Sequence, residues 1–338
     1  MVKRHRIIFR ADGNSRIGLG HVTRSLALAS MLRENFECVF AIQVPSVTLQ
    51  SQINEVCHGI IILPLCATTE DRYIHELDAY ISEEEIVVLD GYTFETEYQQ
   101  GIKVKGAQLV CIDDIHAYHF VADIVISHVA GLKKKQFSAE AYTRFYLGAS
   151  YALLREEFLY TARQTINRTK TSESDSVFIC LGGADPKNHT LDVLLKCAAL
   201  SSKSKYYVVL GAANKHIEII QRTALSLSLE TNLLLNLDAK GMLYYMKSSS
   251  KAITSASSVA YEYLCTHGIL YLFQTADNQA EVYNHLIDHN IALPFDKYGK
   301  SLSADQNQEL VNNSSKLFDG YQKQRLLQIF NMLIRHDK

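Results

Sequence analysis

The chain is poor in proline, lacks paired-cysteine motifs and is nearly neutral, and each of these absences excludes a class of protein. Its 338 residues include only four Pro and 16 Gly, which leaves little room for long disordered linkers. The seven Cys are odd in number and form no C-x-x-C pair, which argues against a disulfide framework or structural zinc and favours a reducing compartment. A net charge of -2 gives no electrostatic basis for binding nucleic acid.

Long apolar runs are absent as well. No stretch approaches the roughly 20 apolar residues that a transmembrane helix needs. The basic N-terminal segment has only three consecutive apolar residues, too few for the core of a signal peptide. Apolar residues make up 47% of the chain and charged residues 21%, both typical of soluble globular proteins. We therefore expect a soluble, cytoplasmic protein with no membrane partner, and the length suggests about two domains.

Short β-branched or aromatic runs alternate with amphipathic segments along most of the chain. The first half predicts strands at 7–10, 37–43, 60–64, 86–90, 108–113 and 123–127, and helices at 22–32, 46–57 and 72–81. The second half predicts strands at 176–181, 205–210, 232–236, 251–254 and 269–273, and helices at 186–200, 215–227, 240–248, 258–267 and 278–290. This rhythm is typical of βαβ units, in which helices cover both faces of a parallel sheet. Asp185-Pro186 predicts a helix start with Asp as the N-cap.

A polar segment separates the two halves. Residues 163–175 read RQTINRTKTSESD and predict a linker. We therefore predict an α/β protein with one Rossmann-like, doubly wound domain over 1–162, a second over 176–305, and a helical C-terminal tail over 306–338. Two such domains imply a cleft between them, and ligands bind outside the carboxyl ends of strands in sheets of this kind.

The most informative segment is RADGNSRIGLGHVTRSL, at 10–26. A predicted strand is followed by a turn containing Gly18 and Gly20, and His21 then stands in the first turn of a helix. Helix N-terminal amides attract anions and disfavour protonation of an imidazole, so we expect His21 to be neutral and suited to general-base catalysis. Arg24, on the same helical face, could bind a phosphate or carboxylate. The alternatives are a purely structural turn with a capping histidine, and a surface arginine.

Three segments of the second half also follow predicted strands. Their candidate ligand-binding residues are Gly182, Gly183, Ser255, Ser257, Ser258, Glu262, Asn278 and Gln279. Paired glycines let a backbone approach a ligand closely, and hydroxyls at a helix start can bind a diphosphate. The acid one turn further on could accept hydrogen bonds from a ribose, and the amides could read sugar hydroxyls or acetamido groups. The structural alternatives are a strand-to-helix turn and helix caps.

Two further segments of the first half contain candidate site residues. Asp90 ends a predicted strand and Tyr92 comes just after it, although an aromatic residue there is more often a packing residue. The other segment contains Asp113, Asp114, His116 and His119. Their spacing could hold a metal, but a polar loop is the commoner explanation, and we predict no metal site. No G-x-S-x-G elbow or other activated nucleophile stands out.

Seven segments together resemble one family. In chain order they read RADGNSRIGLGHVTRSLALA, VVLDGYTFE, CIDDIH, YALLREEF, FICLGGADPKN, ITSASSVAYEYL and TADNQ. They resemble the UDP-2,4-diacetamido-2,4,6-trideoxy-β-L-altropyranose hydrolases, which act in bacterial pseudaminic acid biosynthesis, over residues 6–290. The Gly-Gly and serine-rich segments are shared more loosely with glycosyltransferases of the B-type fold, such as the lipid II-forming GlcNAc transferase.

This resemblance implies a B-type glycosyltransferase architecture used for hydrolysis, with UDP on the C-terminal domain and the sugar facing the N-terminal loop. It makes His21 the base and adds Tyr92 and Asn278 as active-site residues. From their own segments we predict that Asp12, in the N-terminal loop, and Asp90, at a strand end, bind the substrate. A water molecule would attack the anomeric carbon with inversion and release UDP, with no metal or cofactor. The alternatives are a glycosyltransferase and a non-catalytic nucleotide-sugar-binding protein.

Overall fold

The computed structural model of the chain describes residues 4–13, 18–164, 176–200 and 204–334. Most of the predicted linker, from 165 to 175, lies outside the described residues. The chain divides into two compact units. Unit 1 consists of Met1–Glu156 and Gln322–Lys338, and unit 2 of Glu157–Tyr321.

Unit 1 is built on a seven-stranded sheet with helices interleaved along the chain. Its elements are β1 (Arg6–Ala11), α1 (Gly20–Leu32), β2 (Glu37–Gln43), α2 (Val47–Val56), β3 (Gly59–Leu63), α3 (Asp71–Ile74), β4 (Ile86–Asp90), α4 (Thr96–Val104), β5 (Gln108–Ile112), β6 (His119–Phe120), β7 (Ile124–Ser127), β8 (Ser138–Ala139) and β9 (Arg144–Leu147), followed at the unit boundary by α5 (Glu156–Ala162). The strand order is β3-β2-β1-β4-β5-β7-β9, and each ladder is parallel. The short strands β6 and β8 pair separately.

The central strands of unit 1 are buried on both faces, as a helix-covered parallel sheet requires. All of β4 and all but the first residue of β1 are buried. One of these buried residues is charged: Arg10 of β1 is fully buried, with Nε 2.7 Å from Glu76 Oε1 and Nη1 2.7 Å from Asp12 Oδ1. Its guanidinium also lies over the ring of Phe94, 5.0 Å from the centroid.

Unit 2 repeats the architecture with a six-stranded sheet. Its elements are β10 (Ser176–Cys180), α6 (His189–Ala199), β11 (Lys205–Leu210), α7 (Ile217–Ser226), β12 (Thr231–Leu235), α8 (Ala239–Lys247), β13 (Lys251–Ser255), α9 (Ser258–Leu264), β14 (Ile269–Phe273), α10 (Ala280–Asp288), β15 (Leu293–Pro294) and α11 (Ala304–Leu317). The strand order is β12-β11-β10-β13-β14-β15, again with parallel ladders. Both units therefore have the doubly wound α/β pattern that the sequence predicted.

The last helix, α12 (Gln322–Leu333), belongs to unit 1, so the predicted tail is divided between the units. The ring of Phe330 in α12 lies 6.2 Å from that of Phe36, just after α1. Lys323 Nζ lies 3.1 Å from a carboxylate oxygen of Glu156 and 3.4 Å from one of Glu34. In the described part of the chain, no helix combines the length and apolar character needed to cross a bilayer.

The sequence prediction differs from the structure at two helices of unit 1. The helix expected over 72–81 is limited to α3, although Tyr73, Leu77 and Ile81 are buried at the expected helical spacing. The spacing of apolar residues over 72–81 thus predicted correctly which side chains are buried. After α3, however, the backbone forms turns and not a continuous helix. The helix α4 was not predicted because its sequence, TEYQQGIKV, is largely polar.

The predicted helix start at Asp185-Pro186 is wrong. The helix α6 begins at His189, and Asp185 adopts a left-handed backbone with φ +37°. Its carboxylate nevertheless accepts hydrogen bonds from the backbone N–H groups of His189, at 2.9 Å, and Thr190, at 2.8 Å. Asp185 therefore satisfies helix N-terminal donors from a position before the N-cap, which is Asn188. Similarly, α10 begins at Ala280, after a short 3-10 turn over Asp277–Gln279.

The close approach of two glycines in unit 2 yields a stability prediction. A Cβ added to Gly211 would lie 2.5 Å from the carbonyl oxygen of Gly183 and 2.6 Å from its Cα. The backbone of Gly183 cannot move aside as a flexible side chain can. Gly211→Ala should therefore lower the free energy of unfolding by about 1–3 kcal/mol. Thermal unfolding should show a lower Tm. The control is Gly59→Ala, whose Cβ would have its nearest neighbour at 3.8 Å and should leave the Tm close to that of the parent. Equal Tm values for both variants would contradict the close contact.

Candidate active site

A cluster of charged side chains lies at the carboxyl edge of the unit 1 sheet. Asp90, the last residue of β4, is fully buried and accepts hydrogen bonds from Arg24 through both carboxylate oxygens, with Nε at 2.9 and 2.8 Å and Nη2 at 2.6 Å. Arg24 Nη1 also donates to Asp114 Oδ2 at 2.9 Å. Ser25 Oγ donates to Asp90 Oδ2 at 3.0 Å. One guanidinium thus bridges two carboxylates.

The local sequence explains why these side chains meet. The apolar run IVVLD makes β4 a central strand and ends it at Asp90, and parallel strands present such residues at one edge of the sheet. The helix α1 begins at Gly20, so His21, Arg24 and Ser25 stand at positions i, i+3 and i+4 of one face. That face is directed at the end of β4.

His21 is oriented by this cluster. Its Nδ1 lies 2.7 Å from Asp90 Oδ1, and its side chain is 13% exposed. In a neutral imidazole, only a protonated Nδ1 can hydrogen bond to a carboxylate, and Nε2 then carries the lone pair. Tyr92 packs edge-on against the imidazole with the ring centroids 4.6 Å apart, and its hydroxyl donates to Asp114 Oδ2 at 3.4 Å. The arrangement has the geometry of a histidine base held by a carboxylate.

The neighbouring charges of the cluster determine the protonation states of its buried carboxylates and of His128. Burial alone would raise the pKa of Asp90, but Arg24 and His21 outweigh it and lower that pKa. Burial would also raise the pKa of Asp114, but Arg24 and His128 together outweigh burial and lower that pKa. Burial, together with the charge of Arg24, lowers the pKa of the nearby His128 to about 4. Near neutral pH the cluster therefore combines two carboxylates with one guanidinium and a neutral His128.

The other residues predicted in the N-terminal loop have structural partners or shape the backbone. Asp12 Oδ1 accepts a hydrogen bond from the backbone N–H of Gln43 at 2.9 Å and pairs with the buried Arg10. Gly18 has φ +79°, which favours glycine, and Gly20 is the first residue of α1. Residues 14–17 of this loop lie outside the described residues.

In unit 2, the predicted glycine and serine residues stand at strand ends. Gly182 has φ +106°, and Gly183 packs against Gly211. Ser255 ends β13, and its Oγ lies 3.0 Å from Ser257 Oγ, immediately before α9. Ser258 is the first residue of α9. Glu262 lies within α9 and is buried.

The two amide residues of the TADNQ segment differ in their surroundings. Asn278 is exposed in the short 3-10 turn. The side chain of Gln279 closes its own loop, because Oε1 accepts a hydrogen bond from the backbone N–H of Thr275 at 2.9 Å and Nε2 lies 2.9 Å from Thr275 Oγ1. Asn278 is thus the better placed of the two to meet a ligand.

The side chains of Asp113, Asp114 and His119, in segment 113–119, have hydrogen-bond partners within the protein. Asp113 Oδ1 accepts hydrogen bonds from the backbone N–H groups of Ile115 and His116, which closes a turn. His119 pairs with Ser138 and Glu140, while Asp114 pairs with Arg24. Among the residues that the structure describes, no group of three or more His, Cys, Asp or Glu side chains is arranged to hold a metal ion.

Sequence reasoning missed three members of the cluster. Asp114 was assigned to a polar loop, and Ser25 and His128 were not singled out. A signal for each was present. Ser25 follows His21 by one helical turn, and Asp114 and His128 come soon after β5 and β7, at the same sheet edge as Asp90.

No protein-family model matches the chain, but individual proteins are similar to it in sequence. The chain is 30% identical, over 267 residues, to the UDP-2,4-diacetamido-2,4,6-trideoxy-β-L-altropyranose hydrolase of Campylobacter jejuni, covering 77% of this chain and 88% of that protein. The chain belongs to this hydrolase family. It is also 23% identical to the spore coat polysaccharide biosynthesis protein SpsG of Bacillus subtilis, over 84% of this chain and 81% of that protein.

The fold of this chain is similar to that of solved glycosyltransferases. A glycosyltransferase from Rickettsia africae matches 98% of this chain and 97% of its own with a TM-score of 0.61, at 12% sequence identity. At this identity the match shows the fold alone. The predicted fold, two Rossmann-like domains of the B-type glycosyltransferase class, is therefore confirmed.

The buried carboxylate cluster predicts how stability depends on pH. Asp90 has a lower pKa in the folded than in the unfolded chain, so the folded state binds fewer protons. Its stabilising contribution is fully present above the unfolded value of about 4 and is lost as the pH falls through the lowered value. Asp90→Asn removes this contribution and leaves the buried guanidinium of Arg24 with one carboxylate partner fewer. The substitution should lower the free energy of unfolding by about 3–5 kcal/mol near pH 7.

Thermal unfolding between pH 7 and pH 3 measures this difference. The Tm of the parent should fall further on acidification than that of Asp90→Asn, so the two curves converge at low pH. The control is Glu140→Gln, which removes a half-exposed carboxylate of the same unit and should follow the parent curve. Parallel curves for the parent and Asp90→Asn would show that Asp90 does not contribute in this way.

Proposed function

We propose that this chain hydrolyses a UDP-linked 2,4-diacetamido-2,4,6-trideoxy sugar to the free sugar and UDP. Membership of the hydrolase family supports the substrate class, because the Campylobacter jejuni relative bears the name of that reaction. The observation that carries the chemistry is the 2.7 Å contact between His21 Nδ1 and the buried Asp90, which leaves Nε2 as a base.

In the proposed reaction, His21 Nε2 takes a proton from a water molecule while the water oxygen bonds to the anomeric carbon. The bond from that carbon to the phosphate oxygen breaks, and its electron pair leaves with UDP. Attack opposite the leaving group inverts the anomeric centre. Asp90 stabilises the imidazolium that forms, and Arg24 keeps Asp90 ionised while buried. His21 then returns its proton to solvent.

We assign binding roles to residues of both units. In unit 1, Tyr92, whose side chain is 41% exposed beside His21, would contact the sugar. In unit 2, the serines before α9 and the Gly182-Gly183 turn would bind the diphosphate through hydroxyl and amide groups, and Glu262 would accept hydrogen bonds from the ribose. Asn278 would form hydrogen bonds with a sugar hydroxyl or an acetamido group. UDP is a stable leaving group, so the scheme uses no metal and no cofactor.

Incubation of the protein with the UDP-linked diacetamido-trideoxy-altrose in buffer containing EDTA tests the proposal. NMR should show release of UDP together with a free sugar of inverted anomeric configuration. Release only after an acceptor alcohol is added would identify a glycosyltransferase, which the shared fold also accommodates. Saturable binding of the UDP-sugar without turnover would identify a binding protein. Activity that EDTA abolishes would contradict the metal-free scheme.

The role of His21 has its own test. His21→Leu should lower kcat by about 10²–10⁴-fold, because a positioned general base contributes a factor of that size. The Kd for UDP, measured by calorimetry, should stay within about twofold because the diphosphate is assigned to unit 2. The matched control is His119→Leu, which removes a half-exposed imidazole of the same unit that pairs with Ser138. Near-normal turnover by His21→Leu would refute the base assignment.

A further inference from the structure

Nδ1 of His21 lies within reach of two groups that require opposite tautomers. Asp90 Oδ1, at 2.7 Å, is an acceptor and requires a proton on Nδ1. Arg24 Nη2, at 3.0 Å, is a donor and would require a bare Nδ1. In a neutral ring, only the first contact leaves the lone pair on Nε2. The direction of the Arg24 N–H groups therefore decides whether His21 can act as a base.

The guanidinium of Arg24 is held at two ends by carboxylates from different parts of the chain. Nε and Nη2 donate to Asp90, which ends β4, and Nη1 donates to Asp114, two residues after β5. Because a guanidinium is planar and its donors form a rigid fork, fixing Nη1 also fixes the direction of Nη2. With the Asp114 contact in place, Nη2 lies 2.6 Å from Asp90 Oδ1, closer than its 3.0 Å distance to His21 Nδ1, and a guanidinium freed from Asp114 could turn further towards Nδ1.

We propose that Asp114 is a positioning residue that keeps His21 in the tautomer with the proton on Nδ1. The proposal rests on the proposed role of His21 as the base. The other charged or titratable groups around this ring belong to several elements: Arg24 on α1, Asp90 on β4, Tyr92 after β4, and His128 after β7. Asp113, the neighbour of Asp114, is instead occupied in its own turn.

The tautomer of His21 can be measured directly without substrate. The full chain is labelled with 15N-histidine, and long-range 1H–15N spectra are recorded at mildly alkaline pH for the parent, Asp114→Ala and Asp114→Asn. The resonances missing from the spectrum of His21→Gln identify His21. The parent should show the proton on Nδ1, and Asp114→Ala should shift the population towards the tautomer with the proton on Nε2. Asp114→Asn should resemble the parent, because its amide oxygen can still accept from Nη1.

Kinetics of the same variants distinguish positioning from a loss of structure. Asp114→Ala should lower kcat by on the order of tenfold or more, since molecules in the wrong tautomer have no base, while KM changes little. Asp114→Asn should recover most of the lost kcat. The control is Glu140→Ala, a half-exposed carboxylate of the same unit, which should match the parent in tautomer and kcat. If Asp114→Ala does not fold, Asp114→Ser, whose hydroxyl is too short to reach Arg24, replaces it.

A parent tautomer in Asp114→Ala would overturn the proposal, whatever its kcat, because Asp114 would then act in another way. A low kcat in Asp114→Asn despite the parent tautomer would overturn it too. Since the spectra need no turnover, they remain decisive if the protein proves inactive on the UDP-sugar. Failure of the proposed hydrolase reaction is therefore distinguishable from failure of the tautomer assignment.

Discussion

The buried charge of Asp90 determines which side chains must meet at the carboxyl edge of the unit 1 sheet. A carboxylate without solvent is costly unless it is paired and hydrogen-bonded, and Asp90 meets this requirement through Arg24, Ser25 and His21. The compensation creates a second requirement, because Arg24 is itself buried and needs more than one carboxylate. Asp114 supplies the other. The end of β4, the first turns of α1 and the segment after β5 are thereby drawn to one point, and the histidine stands at that point.

Much of the fold could be predicted because its strands are short, apolar and buried on both faces. The predicted bounds of β2, β4, β11 and β14 agree with the structure to the residue, and His21, Arg24 and Asp90 were all identified from their places at strand ends or helix starts. Their partnership could not be predicted. Arg24 lies 66 positions from Asp90 and 90 positions from Asp114, and neither composition nor periodicity reports which of many carboxylates a given arginine will meet.

The same limit applies to predicted binding residues that also have partners within the protein. Asp12 and Gln279 stand in ligand-like segments, yet the structure uses the first to hold the backbone of Gln43 and the second to close its own loop. Short polar side chains after strands often satisfy nearby backbone groups, and only the folded chain shows which of them remain for a ligand. The loop after β10 adds a different case, since it contains left-handed backbone at Gly182, Asp185 and Asn188 as well as the hydrogen bonds of the Asp185 carboxylate.

The return of α12 to unit 1 has a consequence for the order in which the protein forms. Unit 2 is one uninterrupted stretch, Glu157–Tyr321, whereas unit 1 needs α12, which the ribosome adds after all of unit 2. Phe36 is almost fully buried, and its ring packs against Phe330, so the apolar surface beside α1 stays uncovered until α12 has emerged. The N-terminal part of unit 1 is therefore synthesised before unit 2 but completed after it, and the nascent chain carries an exposed apolar face beside α1 while unit 2 is made.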